Sequence, residues 1–185
     1  MNQQNESKPI LDVCCGGRMF YFDKGDPRVL FCDIRTFDGV IWKKGNKRCR
    51  LTISPDIVCD FTNLPFPDNS FHAVVYDPPH LKYTSAGALS DERYETTNPE
   101  RPQPKGWMML KYGVLHRDWR DMLRRGFSEC FRVLNPHGVL IFKWNETNIT
   151  VSEVLALTPE KPVFGNRCGK KSKTHWICFL KGEKK

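Results

Sequence analysis

The sequence predicts an α/β fold with a mostly parallel sheet. Strand-like apolar runs alternate with helix-like or turn-rich segments along most of the chain, the pattern of βαβ units. Three of those runs also carry an aspartate at or near their carboxyl end: Asp12, Asp33 and Asp60. Asp is disfavoured in strands and costly to bury unpaired, and ligands of open α/β sheets bind at the carboxyl ends of the strands. At 185 residues the chain reads as one domain, 1–185, large enough for a real core.

The first strand is expected over Ile10 to Cys14, with a short helix or turn around Arg18 to Asp23. Val29 to Asp33 reads as the second strand. Apolar and basic runs around Lys44-Gly45-Asn46 fit a hairpin over residues 37 to 53. Ile57 to Asp60 and Phe71 to Tyr76 follow as the third and fourth strands. Residues 81 to 116 form a long irregular stretch rich in Ser, Thr, Pro, Gly and charge, of a length that is usually functional or disordered. Arg117 to Leu134 reads as an amphipathic helix, with Trp119, Met122, Leu123, Phe127, Cys130 and Phe131 on one stripe. Asn135-Pro136-His137-Gly138 ends it. Val139 to Trp144 is the fifth strand, and Thr150 to Leu157 a short helix capped by Thr150 with Glu153 three residues on. Val163-Phe164 and His175 to Leu180 are the last two strands, joined by a basic loop, with the final one antiparallel.

Composition narrows the class. A hydrophobic fraction of 39%, with 12 Phe and 5 Trp, belongs to a folded protein. No run approaches the length of a transmembrane helix, and the polar start Met1 to Lys8 lacks a leader's apolar segment. The eight cysteines form no Cys-x-x-Cys pair, and Cys14, Cys32, Cys59 and Cys178 sit in apolar runs. That suits buried thiols in a reducing cytoplasm, with no metal site. The net charge of +8 comes largely from two clusters: Lys43, Lys44, Lys47, Arg48, Arg50 and Arg167, Lys170, Lys171, Lys173. They fit a polyanionic partner such as nucleic acid, or a solvated basic surface.

Two constellations carry chemistry. Glycines at the end of the first strand, Asp12-Val13-Cys14-Cys15-Gly16-Gly17, let a ligand approach the backbone. Asp33 follows Asp12 at about the distance where an acidic residue reaches a ribose diol in a dinucleotide fold. No Gly-x-Gly-x-x-Gly is present, and the acidic lining suits an adenosine with a cationic tail better than a phosphate-bearing cofactor. The second constellation is Asp77-Pro78-Pro79-His80, directly after the fourth strand. Two prolines cannot donate to a ladder, so they end the strand and hold the Asp77 carboxylate beside the Pro78 carbonyl. Two acceptors side by side complement an exocyclic amino group; the plain alternative is a tight turn with an incidental Asp.

These residues together resemble the class I S-adenosylmethionine-dependent methyltransferases over nearly the whole chain. Leu11-Asp12-Val13-Cys14-Cys15-Gly16-Gly17 is similar to that family's first motif, with Cys14 and Arg18 where the motif has glycines. Leu64-Pro65-Phe66-Pro67-Asp68-Asn69-Ser70-Phe71-His72 and Arg132-Val133-Leu134-Asn135-Pro136-His137-Gly138 resemble its lead into the fourth strand and its turn into the fifth. The resemblance implies a Rossmann-like methyltransferase fold, a mostly parallel seven-stranded sheet with an antiparallel last strand. It implies S-adenosyl-L-methionine as cofactor, with Asp12, Cys14 and Gly16 at its methionine part, Asp33 at the ribose, and Asp60 and Phe61 at the adenine. Asp77-Pro78-Pro79-His80 resembles the (Asn/Asp)-Pro-Pro-(aromatic) motif of amino-group methyltransferases, most of all the small phage or prophage enzymes of bacteria. By that match Asp77 and Pro78 accept the amino hydrogens and His80 stacks on a flipped base.

The leading expectation is therefore methylation of an exocyclic amino group of DNA or RNA, adenine N6 first. Residues 81–116 would lie on the substrate side. Trp107 and Tyr112 would stack there or anchor the loop, and Lys143, Lys170 and Lys171 would meet substrate. Two alternatives stay open: a protein side-chain amide or small-molecule methyltransferase, and a non-catalytic cofactor- or nucleic-acid-binding subunit. The chain has no room for a large separate recognition domain, and a recognition subunit or a homodimer stays open as a partner.

Overall fold

The structure, a computed structural model, describes residues 8–82, 107–115, 117–169 and 172–182, with Trp107 by its backbone alone. Among these residues the strands are β1 (Ile10–Asp12), β2 (Val29–Asp33), β3 (Phe37–Lys44), β4 (Lys47–Ile53), β5 (Ile57–Val58), β6 (Phe71–Tyr76), β7 (Leu134–Asn145), β8 (Phe164–Arg167) and β9 (Thr174–Leu180). The helices are α1 (Trp107–Tyr112), α2 (Trp119–Val133) and α3 (Val151–Leu155). Seven strands form one sheet in the order β5-β2-β1-β6-β7-β9-β8. The pairings from β5 through β7 are parallel, and β9 runs antiparallel to both β7 and β8. This is an α/β fold with a mostly parallel seven-stranded sheet, as the sequence predicts. β3 and β4 form a separate antiparallel ribbon.

Strand alternation explains where the core sits. Leu11, Cys32, Val74, Tyr76, Leu140, Phe142, Ile177 and Phe179 are buried on one face of the sheet. Against them α2 packs Trp119, Leu123, Phe127, Cys130 and Phe131, the stripe its sequence spacing predicts. Each such large side chain contributes about 1.5–3 kcal/mol. Gly126 on α2 is required by this packing, because a Cβ there would stand 2.2 Å from the Tyr76 hydroxyl. On the opposite face Val29 and Phe31 pack with Cys15, Ile10 and Tyr21.

Several elements differ from expectation. The β1–β2, β2–β5 and β5–β6 connections contain no helix. Gly16, Gly17, Gly25 and Pro27 interrupt the first connection, and Pro55, Pro65 and Pro67 the region around β5. The Arg18–Asp23 segment accordingly takes the turn of its two expected forms. Strand β5 is only two residues long, so Asp60 lies just beyond it. The stretch 81–116 contains α1, hidden among turn-forming residues; residues 83–106 lie outside the described residues. Asn135–Gly138 forms a bulge inside β7, whose register jumps from Phe71↔Leu134 to Ala73↔Val139, with His137 at φ 60. At α3 the capping box is present: Thr150 accepts from the Glu153 N–H and Glu153 from the Thr150 N–H. No helix among the described residues is long and apolar enough to cross a membrane.

Candidate active site

β6 ends at Tyr76, and the buried Pro78 follows Asp77. The register Tyr76↔Phe142 brings Lys143 of β7 alongside Asp77. The Lys143 ammonium donates to Asp77 Oδ2. It also lies 5.3 Å from the Phe20 ring centroid and 5.7 Å from that of Trp176, contacts that favour a cation. Burial pushes the Asp77 carboxyl above its ordinary value, and Lys143 pulls it back down. Among the described residues Oδ1 accepts no hydrogen bond, so one carboxylate oxygen is left to accept from a ligand. Lys143, expected to meet substrate, is here the counter-ion of the candidate catalytic carboxylate.

Asp12, on the neighbouring strand, is fully buried. Its oxygens accept from the Cys14 N–H at 3.0 Å and the Tyr21 hydroxyl at 2.9 Å. Among the described residues no cation pairs with it. Burial, reinforced by the nearby Asp77 and Asp33 charges, raises its pKa to about 7, while those two hydrogen bonds oppose the shift. Asp33, at the end of β2, accepts from the Gly16 N–H at 2.9 Å. It also accepts from Arg35, through the backbone N–H at 2.9 Å and the guanidinium at 3.0 and 3.2 Å. Gly16 reaches it because φ is +48 there, a region open to glycine. Arg18 holds φ 51, with its guanidinium donating to the Lys24 and Ser54 carbonyls and stacked 3.8 Å over Phe31.

The remaining expected site residues divide. Cys14 is half-buried and packs against the main core, and burial holds its thiol well above the ordinary value. Asp60 closes a turn by accepting from the Thr62 N–H at 2.8 Å. Phe61 is buried in the core, 5.3 Å and edge-on from Tyr76. His80 lies 5.5 Å from Tyr112 and 6.3 Å from Trp144. Burial and Lys143 lower its pKa to about 4, so the ring is neutral near pH 7. Pro79 is clasped by Gly113 just after α1, where φ is +72 and a Cβ would stand 2.9 Å from the proline Cγ. Trp107 opens α1, and Lys170 and Lys171 lie outside the described residues.

Asp12, Asp33, Asp77, Lys143, Gly16 and His80 thus gather at the carboxyl ends of β1, β2, β6 and β7. Sequence reasoning missed Tyr21, Arg35 and Gly113. Arg35, two residues after Asp33, carried a local signal; Tyr21 and Gly113 carried none that separates them from ordinary turn residues. A cleft of about 650 Å³ opens beside this edge, between the Gly16–Met19 loop and the β3–β4 ribbon. Among the described residues, no group of three or more His, Cys, Asp or Glu could hold a metal ion. In comparisons with known proteins, no family model and no curated protein matches the chain.

Proposed function

We propose that this protein is an S-adenosylmethionine-dependent methyltransferase acting on an exocyclic amino group of a nucleic-acid base, adenine N6 first. The observation that carries the reading is the carboxylate set at adjacent strand ends, with Asp77 fixed before two prolines. The sheet, with its antiparallel β9, fits the Rossmann-like methyltransferase fold that the sequence resemblance implies.

The residues fit the cofactor. Asp12 is a buried carboxylate without a cationic partner among the described residues, and a positively charged methionine moiety would complete it. Gly16 leaves the backbone open to close approach. Asp33 would hold the ribose after Arg35 yields one oxygen, and Asp60 would lie on the adenine side. When bound, the cofactor supplies an electrophilic methyl group on a sulfonium. The chain's own part is positioning. Asp77 Oδ1 and the Pro78 carbonyl accept the two amino hydrogens and turn the nitrogen lone pair outward. Lys143 draws the Asp77 carboxyl back toward the ionised form, which an acceptor requires. His80, its ring neutral, and Tyr112 offer aromatic faces for a base lifted from its stack.

The test is calorimetric titration with S-adenosylmethionine alongside transfer of labelled methyl groups to DNA, RNA and protein pools. The wild type is expected to bind cofactor and label a nucleic acid, and Asp77→Ala to bind but not label. Labelling of protein alone, or equal labelling by Asp77→Ala, would overturn the reading.

A further inference from the structure

The β3–β4 ribbon carries charge that the fold does not neutralise. Its register pairs Lys43 with Arg48 and Lys44 with Lys47. Like charges directly opposite each other destabilise a two-stranded sheet. All four side chains are exposed, and among the described residues none is in an ion pair. Other cations on the surface are matched, among them Arg50 with Asp38 lower on the ribbon, Arg125 with Asp121 and Arg132 with Glu129. Gly45, at φ +57, makes the two-residue turn that holds the four charges at one tip.

The ribbon is also tied to the candidate site. Ile41, Leu51 and Ile53 pack at its base with Leu110 of α1. The Leu110 carbonyl accepts from Arg35, whose guanidinium grips Asp33. Two residues on, Tyr112 faces His80, and Gly113 clasps Pro79. One helix of about 9 Å therefore joins the ribbon base to the Asp-Pro-Pro turn. The eight residues of β3 extend about 26 Å from that base to the basic tip.

We infer that the β3–β4 ribbon is a DNA-binding arm, whose basic tip enters the major groove of the duplex that carries the target base. This rests on the reading of the site as a nucleic-acid methyltransferase. Groove geometry selects DNA. A two-stranded ribbon fits the wide major groove of B-form DNA, whereas the major groove of an A-form RNA duplex is too narrow for side chains to read. Phosphates on both walls of the groove neutralise the opposed cations.

The experiment compares the full chain with the variant Lys43→Ala/Lys44→Ala/Lys47→Ala/Arg48→Ala. Binding to a DNA duplex and to an RNA duplex of the same sequence is followed by fluorescence anisotropy over a salt series, with cofactor binding measured in parallel. The wild type is expected to prefer DNA. The alanine variant should lower the slope of log K against log salt by roughly 3 to 4, at about 0.9 per phosphate contact. Replacing the three lysines by arginine should keep the slope, and cofactor affinity should not change. An unchanged slope in the alanine variant, equal binding of the RNA duplex, or no binding of DNA would overturn the inference. Ribbon-dependent DNA binding by a protein that takes up no cofactor would overturn the methyltransferase reading and leave the arm standing.

Discussion

Asp12 costs the folded state stability, and replacing it with asparagine should return that stability. Its carboxyl moves from an ordinary 3.8 to about 7 on burial. The folded state therefore holds a proton that the unfolded chain has already released between those values. Linkage gives the sign: stability attributable to Asp12 falls as pH rises from about 4 to about 7 and stays low above. At about 1.4 kcal/mol per pH unit the full loss is roughly 4 kcal/mol. An asparagine side chain at this position would keep both local bonds, accepting from the Cys14 N–H and donating to the Tyr21 hydroxyl, which accepts as readily as it donates. Asp12→Asn is thus expected to be more stable than wild type by about 2–4 kcal/mol at pH 8 and nearly equal at pH 4. Urea denaturation at the two pH values measures this, and in thermal denaturation at pH 8 the midpoint should rise by roughly 5–15 °C. The same variant should lose cofactor affinity, since the buried negative charge is gone. Equal stability differences at pH 4 and pH 8 would refute the reasoning.

Three further outcomes follow from the same geometry. Lys143→Met removes the cation beside Asp77, so the carboxyl rises further and the acid limb of the methyl-transfer pH profile should move to higher pH. Gly113→Ala places a side chain at φ +72 against Pro79, which should cost about 1–3 kcal/mol and raise KM for substrate more than it weakens cofactor binding in calorimetry. Tyr76→Phe removes a buried hydroxyl without a partner among the described residues and should stabilise the fold by about 1 kcal/mol. It should also soften the effect of Gly126→Ala, whose Cβ meets that hydroxyl, as a double-mutant cycle by thermal denaturation would measure.

Much of this arrangement is legible in the sequence because local chemistry decides it. Asp77-Pro78-Pro79 ends a strand through missing donors, the Trp119-to-Phe131 stripe needs a core, and Thr150 with Glu153 makes a capping box. Asp12 and Asp33 stand out because carboxylates at apolar strand ends need a reason. What the sequence hides is set by register across the fold. Lys143 meets Asp77 only because Tyr76 pairs with Phe142, two strands more than sixty residues apart. Arg35 reaches α1 only through the docking of Leu110 on the ribbon. Residues Trp107–Tyr112 are too few and too closely flanked by turn formers to show a helical period, and packing on β3 rather than propensity makes them a helix. The expected βαβ alternation fails where Gly and Pro interrupt the connections.

The most direct test of the methyltransferase reading is nucleoside mass spectrometry of DNA incubated with the protein and trideuteromethyl S-adenosylmethionine. A mass-shifted methyl group is expected on an exocyclic amino nitrogen, adenine N6 first, and none with Asp77→Ala. A label on a ring carbon, or an amino-group label that persists in Asp77→Ala, would contradict it.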